Sequence, residues 1–472
     1  MKLPKIFRLF SAPAIAALLL PACSRAPDLD PDPLAYRPAS VAWTLQADLP
    51  ALDAHMDWDA IRAHETWRTL LGQGEAGAVM DLLFTEGVDR ARPVLLFQAA
   101  DGLPRGFAGV SDRDSLEAGL ARLGLPEPET DDGLHWVRAA GGTLAWTDDV
   151  LAYYGGSPPE EELLTVAFAV PADDAPADPD LAAFLQRPGD LRFWGRADRI
   201  DLGVPWMDGL LDDFGGATAG LRLVNARGVA ELRLETDGLP AETAAWTEAW
   251  FAAAGAHRGW ERVPEGTPAW LDVVPPPNAG QGGLALGALE SLGASSAGIT
   301  AAFHQIKITR RGFIPRVSVW ATPPAGGTPA GLEAELLRRG VLQSGGRLEM
   351  GALTAEYTLG PDGLVASTTE PPATLLVPPR AAVPLPDAWA AAMAASPLRV
   401  HVDAGLLSGL LPLPDAAGTL KDLALFFERP APDRLEMTLA VRSADPEAWG
   451  ADVALKAALE LVPAFQAMSA FR

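Results

Sequence analysis

The densest group of residues that could do chemistry is His55, Asp57, Asp59 and His64, within the stretch HMDWDAIRAHETW. Imidazoles and carboxylates hold zinc when three or four converge, and H-E-x-x-H achieves this by setting two histidines one helical turn apart. Here HETWR puts Arg68 where the second histidine belongs. On a helix, Asp57 and Asp59 would point about 200° apart, so the expectation is a solvated polar face and no metal. Nucleophilic chemistry has no better support. Ser111 in GVSDR and Ser295 in GASSAG depart from the G-x-S-x-G elbow, and Ser111 is expected to open the following helix, with Asp112 and Asp114 at its positive end. Asp148 and Asp149, in WTDDV, fall at an expected hairpin turn, and GGAT and GQGG lack the surroundings of a phosphate loop. His401, between Arg399 and Asp403 on an alternating strand, is expected to face solvent. No catalytic residue, metal ligand or cofactor is assigned from the sequence.

The chain has one cysteine, Cys23. It follows a basic start with Lys2, Lys5 and Arg8, then an apolar run from Ala12 to Leu20. That is the order of a secretory signal peptide, and the run is shorter than the ~20 residues needed to span a bilayer. Leu20, Pro21, Ala22 and Cys23 resemble the lipobox of bacterial lipoproteins. The resemblance implies cleavage before Cys23, diacylglyceryl transfer to its sulfur and membrane attachment through lipid. It also implies outer-membrane delivery, because Ser24 stands where aspartate would favour the inner membrane. Stable holding requires more than one acyl chain. Residues 1–22 are then the signal peptide, and residues 23–40 a disordered tether whose Pro27, Pro31 and Pro33 interleave with Asp28, Asp30 and Asp32. Those aspartates lack the glycine and distal glutamate of a calcium loop.

Loss of the leader removes three positive charges and takes the net side-chain charge from −24 to about −27. Phosphate-rich partners require an excess of Lys and Arg, so nucleic acid is excluded. A single cysteine excludes a disulfide framework, which leaves core burial to stabilise a chain that is 49% hydrophobic. Tryptophan is enriched, with 14 residues against 4 tyrosines. Trp246 and Trp250 fall at i and i+4, and Trp43, Trp194 and Trp270 each lie on the leading strand of a unit, which assigns them to the core.

The elements that must position any site follow a pattern that recurs four times: a strand, an apolar helical or turn-rich segment, a hairpin and a helix. The hairpins are PVLLFQAADGLPRGFAGVSD, AGLRLVNARGVAELRLETDG, the alternation from Gln305 to Val319, and LKDLALFFERPAPD continuing through Leu435, Met437, Leu439 and Val441. Helices are expected from Asp112, Pro240, Thr328 and Ala444, the first three ending at glycine. The first and third units share a trailing β segment, from Leu134 and Gly346. The expected architecture is therefore α+β: antiparallel sheets with helices packed on one face, in two tandem halves at 41–255 and 256–472.

The chain also resembles a group of bacterial envelope lipoproteins whose domain has no known function. The resemblance rests on the Trp-containing MDWDAIRAHETW, on Gly87, Val88, Asp89, Pro93, Val94, Leu96 and Phe97, and on the LEAGL that follows. It implies location and fold type and supplies no catalytic residue. The expected role is noncatalytic binding or assembly at the membrane, with a possible envelope protein partner. The alternatives are a polymer hydrolase, which needs a deep polar pocket, and a periplasmic lipid carrier or chaperone, which needs a dry apolar face on the sheet.

Overall fold

The structure is a computed structural model. It describes residues 29–36, 41–71, 82–98, 102–131, 133–139, 142–158, 167–168, 179–196, 217–275, 296–309, 312–343, 345–350, 353–368, 371–377, 379, 381–409 and 418–469. The first half contains β1 (Trp43–Ala47), α1 (Leu49–His55), α2 (Trp58–Ala63), α3 (Glu65–Leu71), β2 (Val88–Asp89), β3 (Val94–Gln98), β4 (Pro104–Val110) and α4 (Arg113–Arg122). It continues with β5 (Glu129–Asp131), β6 (Leu134–Ala139), β7 (Gly142–Trp146), β8 (Val150–Tyr154), α5 (Pro179–Leu185), β9 (Leu191–Arg196), β10 (Thr218–Ala226), β11 (Val229–Asp237) and α6 (Ala241–Ala256). The second half runs β12 (Ala269–Val273), β13 (Gly298–Thr309), β14 (Gly312–Thr322), α7 (Pro329–Arg338), β15 (Leu342–Gln343), β16 (Arg347–Met350), β17 (Leu353–Gly360) and β18 (Gly363–Ser367). It ends with α8 (Ala390–Ala395), β19 (Leu398–Asp403), α9 (Ala404–Ser408), β20 (Leu420–Ala431), β21 (Arg434–Ser443) and α10 (Gly450–Ser469).

The fold is mixed α+β around one large antiparallel sheet. Strand pairings run β5–β6–β7–β8–β4–β3–β1–β9–β10–β11, cross the seam to β21, and continue β20–β19–β12–β13–β14–β18–β17–β16–β15. No pairing joins the two ends among the described residues. At the seam, β11 and β21 pair in register from Val229 opposite Arg442 to Thr236 opposite Leu435. The two hairpins β10–β11 and β20–β21 thus lie back to back, flanked by β9 and β19 respectively.

Local chemistry explains the helices. Asp112 accepts the Ser115 N–H to cap α4, and Thr328 accepts the Gly331 N–H to cap α7, whose first residue is Pro329. Gly124 and Gly340 close these two helices with φ of +82° and +74°, letting Leu125 and Val341 donate back to Leu120 and Leu336. Three expectations shift. The cap of α4 is Asp112 rather than Ser111, and α6 passes through Gly255 to end at Ala256. The last helix starts at Gly450 rather than Ala444, because Asp445, Pro446 and Glu447 form a turn held by Ser443 and Asp445 side chains.

Helices do not keep to one face. On the front face, α1 and α4 cover Val94, Ala108, Leu144 and Trp146, α7 covers Val319, Ala321 and Leu364, and α10 covers Leu420 and Val441. On the back face, Phe184 of α5 fills the space that a side chain at Gly220 would need, with a Cβ there only 2.3 Å from its ring. Met393 of α8 and Trp389 cover Trp270, Phe426 and Ala440 on that same face. The tether is also shorter than expected. Pro33–Tyr36 forms a 3-10 turn whose Tyr36 is 4% exposed and stacks on Phe107 at 4.4 Å. Burial there, with Asp30 alongside, pushes the Tyr36 hydroxyl up to about 12.

Candidate functional site

Strand alternation sends residues of like parity to one face, and at the seam this yields an apolar row on the front. Leu223, Leu232, Leu439, Leu425, Val400 and Leu271 follow one another across six strands, each directly opposite the next. A second row runs beside it through Leu45, Phe193, Leu221, Leu234 and Met437. None of these eleven side chains is buried, and Leu232 and Leu439 are 37% and 38% exposed. From β1 to β12 there are seven inter-strand spacings of about 4.8 Å, so the band extends ~34 Å along the sheet. It lies between two helices. α10 packs at the strand ends near Leu423 and Val441, and α6 packs at the opposite ends, where Trp250 meets Phe427 with ring centroids 5.6 Å apart. Between them, Leu232 and Leu439 remain more than a third exposed and the other nine side chains partly exposed.

The back of the same strands is buried and charged. Arg192, Arg222 and Arg233 stand opposite one another on β9, β10 and β11, and Glu235 stands opposite Glu436 across the seam. Like charges placed so are destabilising, and diagonal counterions offset them. Glu235, with no side-chain exposure, is bound by Arg187, Arg222 and Arg434, the last at 2.7 Å. Arg233 reaches Glu436 at 2.9 Å and also Glu231. Trp389 Nε1 donates to Glu231 at 3.1 Å. Burial, then Glu436, pushes the nearby Glu428 carboxyl above its ordinary range, while burial pulls Arg192 down. This network fixes the register that places the leucines in front, because a one-residue slip would exchange the two faces.

A second buried group joins the end of α6 to β12, β13 and β19. Asp272 receives His257 Nε2 at 2.9 Å and the Thr300 hydroxyl at 2.6 Å, and Arg399 Nη1 lies 3.0 Å from its other oxygen. Arg399, fully buried, also donates to the Ala254 carbonyl at 3.2 Å, near the C-terminus of α6, where a cation suits the helix dipole. Burial lowers its pKa. The Thr300 hydrogen goes to Asp272 rather than to the imidazole, so the group forms no nucleophile–base pair.

The four residues first suspected of metal binding are dispersed. His55 Nδ1 sits 2.7 Å from Asp190 and its ring lies on Trp449 at 3.7 Å. Asp57 caps α2 and pairs with Lys456 at 3.0 Å, which holds its carboxyl below the usual range. His64 Nδ1 takes the Thr66 N–H at 3.2 Å, and Asp59 is exposed. Among the described residues no three His, Cys, Asp or Glu side chains are placed to hold a metal ion. Asp148 pairs with Arg113 at 2.9 Å. Cys23 and Ser295 lie outside the described residues.

His401 overturns its expectation. It is 6% exposed, with Arg399 fully buried beside it, because the back face that was assigned to solvent is covered by Trp389 and α8. Burial lowers the His401 pKa, against the opposing pull of Asp422 and Asp403 and with a smaller contribution from Arg442 in the same direction. Trp194 and Trp270 are buried core residues, at 1% and 2% exposed, whereas Trp43 is half-exposed on the front, stacked on Phe193 at 6.2 Å. Their positions do not match in register, since Trp270 pairs with His401 and Trp43 with Gly195.

No protein-family model and no curated protein sequence matches the chain. Among solved structures, crystal forms I and IV of TP0453 are similar at 13% and 12% identity, over 44% and 45% of this chain and 79% and 83% of that chain. Both have a TM-score of 0.28, a depth at which likeness carries no weight for fold or function.

Proposed function

We propose that the chain is a lipid-anchored protein of the bacterial outer membrane whose folded body binds an extended apolar ligand without turning it over. The anchor reading rests on the leader, on Leu20–Cys23 and on Ser24. The binding reading rests on the row from Leu223 to Leu271, six neighbouring strands presenting Leu or Val to one open face. Continuous exposed apolar surface of this kind marks a binding site or a membrane contact. An acyl chain suits it best: a row of Leu and Val side chains offers apolar contact along its length and no side-chain hydrogen bonds to satisfy.

The finer reading of the fold belongs with this proposal. The body is a tandem duplication of a two-unit half, so that the seam is an internal twofold-like junction, β1–β9–β10–β11 mirrored by β12–β19–β20–β21. Duplication of a sheet that exposes one apolar flank would double the floor at the junction.

Metabolic labelling with a fatty-acid probe tests the anchor: wild type takes up label and Cys23→Ala does not, whereas equal labelling removes the anchor reading. Organic extraction of protein purified from envelopes tests the ligand class, with recovery of stoichiometric lipid beyond that on Cys23 expected. Turnover of a small molecule by the purified protein would overturn the noncatalytic reading.

A further inference from the structure

The N-terminal strap enters the fold at a defined place. Arg92 Nη1 donates to the Pro31 carbonyl at 2.6 Å, Tyr36 Oη donates to the Asp30 carbonyl at 2.9 Å, and Leu29 and Leu34 pack against the buried aromatic cluster. Six Cα steps separate Cys23 from Leu29, which at about 3.6 Å each limit the leash to ~22 Å.

Beside this exit lies a surface of distinct composition. Arg92 belongs to the turn after β2 that also carries Arg90, and Arg90 pairs with Asp53 at 2.7 Å. Arg90 and Arg62 each place a guanidinium 4.4 Å from the ring centre of Phe84. Trp58 packs edge-on against Phe84 and Trp67 at 5.1 and 6.2 Å. Trp58, Arg62, Phe84 and Arg90, with Asp53, Met56, Asp57 and Asp59, line a shallow recess of about 300 Å³. Trp58 Nε1 is buried within the protein without a hydrogen-bond partner, and among the described residues Arg62 has no carboxylate partner.

We propose that this recess is the face on which the anchored body rests against the bilayer, and that its ligand is the zwitterionic phosphoethanolamine headgroup layer. The inference rests on the lipid-anchor reading above. The short leash brings the recess to headgroup depth. Indole rings favour that interface, and guanidinium pairs strongly with phosphate. The exposed Asp59 suits the ammonium of the same headgroup. An anionic lipid fits less well, because the body's net charge is strongly negative. The strap lies on the back face, whereas Met56 and Trp58 of the recess pack against the front cluster, so the recess sits on the front side at the strand ends.

The experiment uses full-length lipidated protein in phosphatidylethanolamine/phosphatidylcholine vesicles that contain a lipid nitroxide-labelled on its headgroup. A fluorophore is placed through Ala63→Cys on α2 or, as reference, through Leu337→Cys on α7. Quenching several-fold stronger at position 63 is expected, with Arg62→Glu weakening it. Comparable quenching at both positions overturns the inference, as does an Arg62→Glu protein quenched as strongly as its parent. Flotation of the same samples separates the two readings. Protein that fails to float removes the anchor and this inference together, whereas floating protein with equal quenching removes this inference alone. Arg92→Ala, which frees the strap while leaving Tyr36 in place, is expected to reduce the difference between positions; an undiminished difference would show that the strap does not set the orientation.

Discussion

Leu232 and Leu439 stand directly opposite each other across β11 and β21, and both leave more than a third of their surface to solvent. A leucine pair of this kind in the middle of a large sheet would be expected inside a core. Its exposure separates affinity from stability at this site. Exchange of surface residues away from special features changes stability by about 0.5 kcal/mol or less. Leu232→Thr with Leu439→Thr, which adds no charge to the directly opposed pair, should therefore leave the chemical-denaturation midpoint close to wild type. A loss of several kcal/mol would show that the pair is core after all.

The charged layer behind the leucines has the opposite character. Glu235→Ala would leave Arg187, Arg222 and Arg434 without their shared buried counterion. Breaking one side of a buried pair costs about 3–5 kcal/mol, and equilibrium unfolding should register a loss of that size. A change below ~1 kcal/mol would mean that solvent screens the network.

α10 meets β11 at a glycine. A Cβ on Gly450 would lie 2.1 Å from the Val229 carbonyl carbon, in contact with backbone that has nowhere to move. Gly450→Ala should cost about 1–3 kcal/mol, with faster amide exchange in β11 and β21 than in β6 and β7. Unchanged exchange across the seam would separate α10 from the joining of the halves.

Burial keeps the His401 pKa below its ordinary value. The unfolded chain then binds the proton more readily, so this contribution is fully present above pH ~6.5 and falls away as the pH drops toward the folded-state pKa. Asp422, Asp403 and Arg442 face the ring and act on it less than burial does. His401→Phe should flatten the fall of the denaturation midpoint between pH 7 and pH 5, and an identical slope in both proteins would contradict this assignment.

Much of the sheet was legible in the sequence because hairpins are local. The alternation of Leu435, Met437, Leu439 and Val441 and the turn at Gly228 specify β21 and the β10–β11 hairpin from nearby residues alone. The seam was not legible, since nothing near Arg233 announces that Glu436, two hundred residues away, is its partner. Polar positions on those strands, Glu235, Thr438 and His401 among them, look like a solvent face. They are buried because α5, α8 and the segment around Trp389 cover that side, and these covering elements have weak periodicity of their own. The exposed leucines were misleading for the converse reason: in sequence an apolar alternation signifies burial, and only the positions of α6 and α10 at opposite strand ends reveal the open floor between them.

The most direct test of the account is titration of a fluorescent fatty acid into purified Cys23→Ala protein, which carries no lipid of its own, alongside the same protein with Leu232→Thr and Leu439→Thr. The account predicts saturable binding by the first and affinity at least about tenfold weaker in the second, a loss of ~1.4 kcal/mol, with circular dichroism unchanged. Equal affinity in both proteins, or no binding by the first, would contradict it.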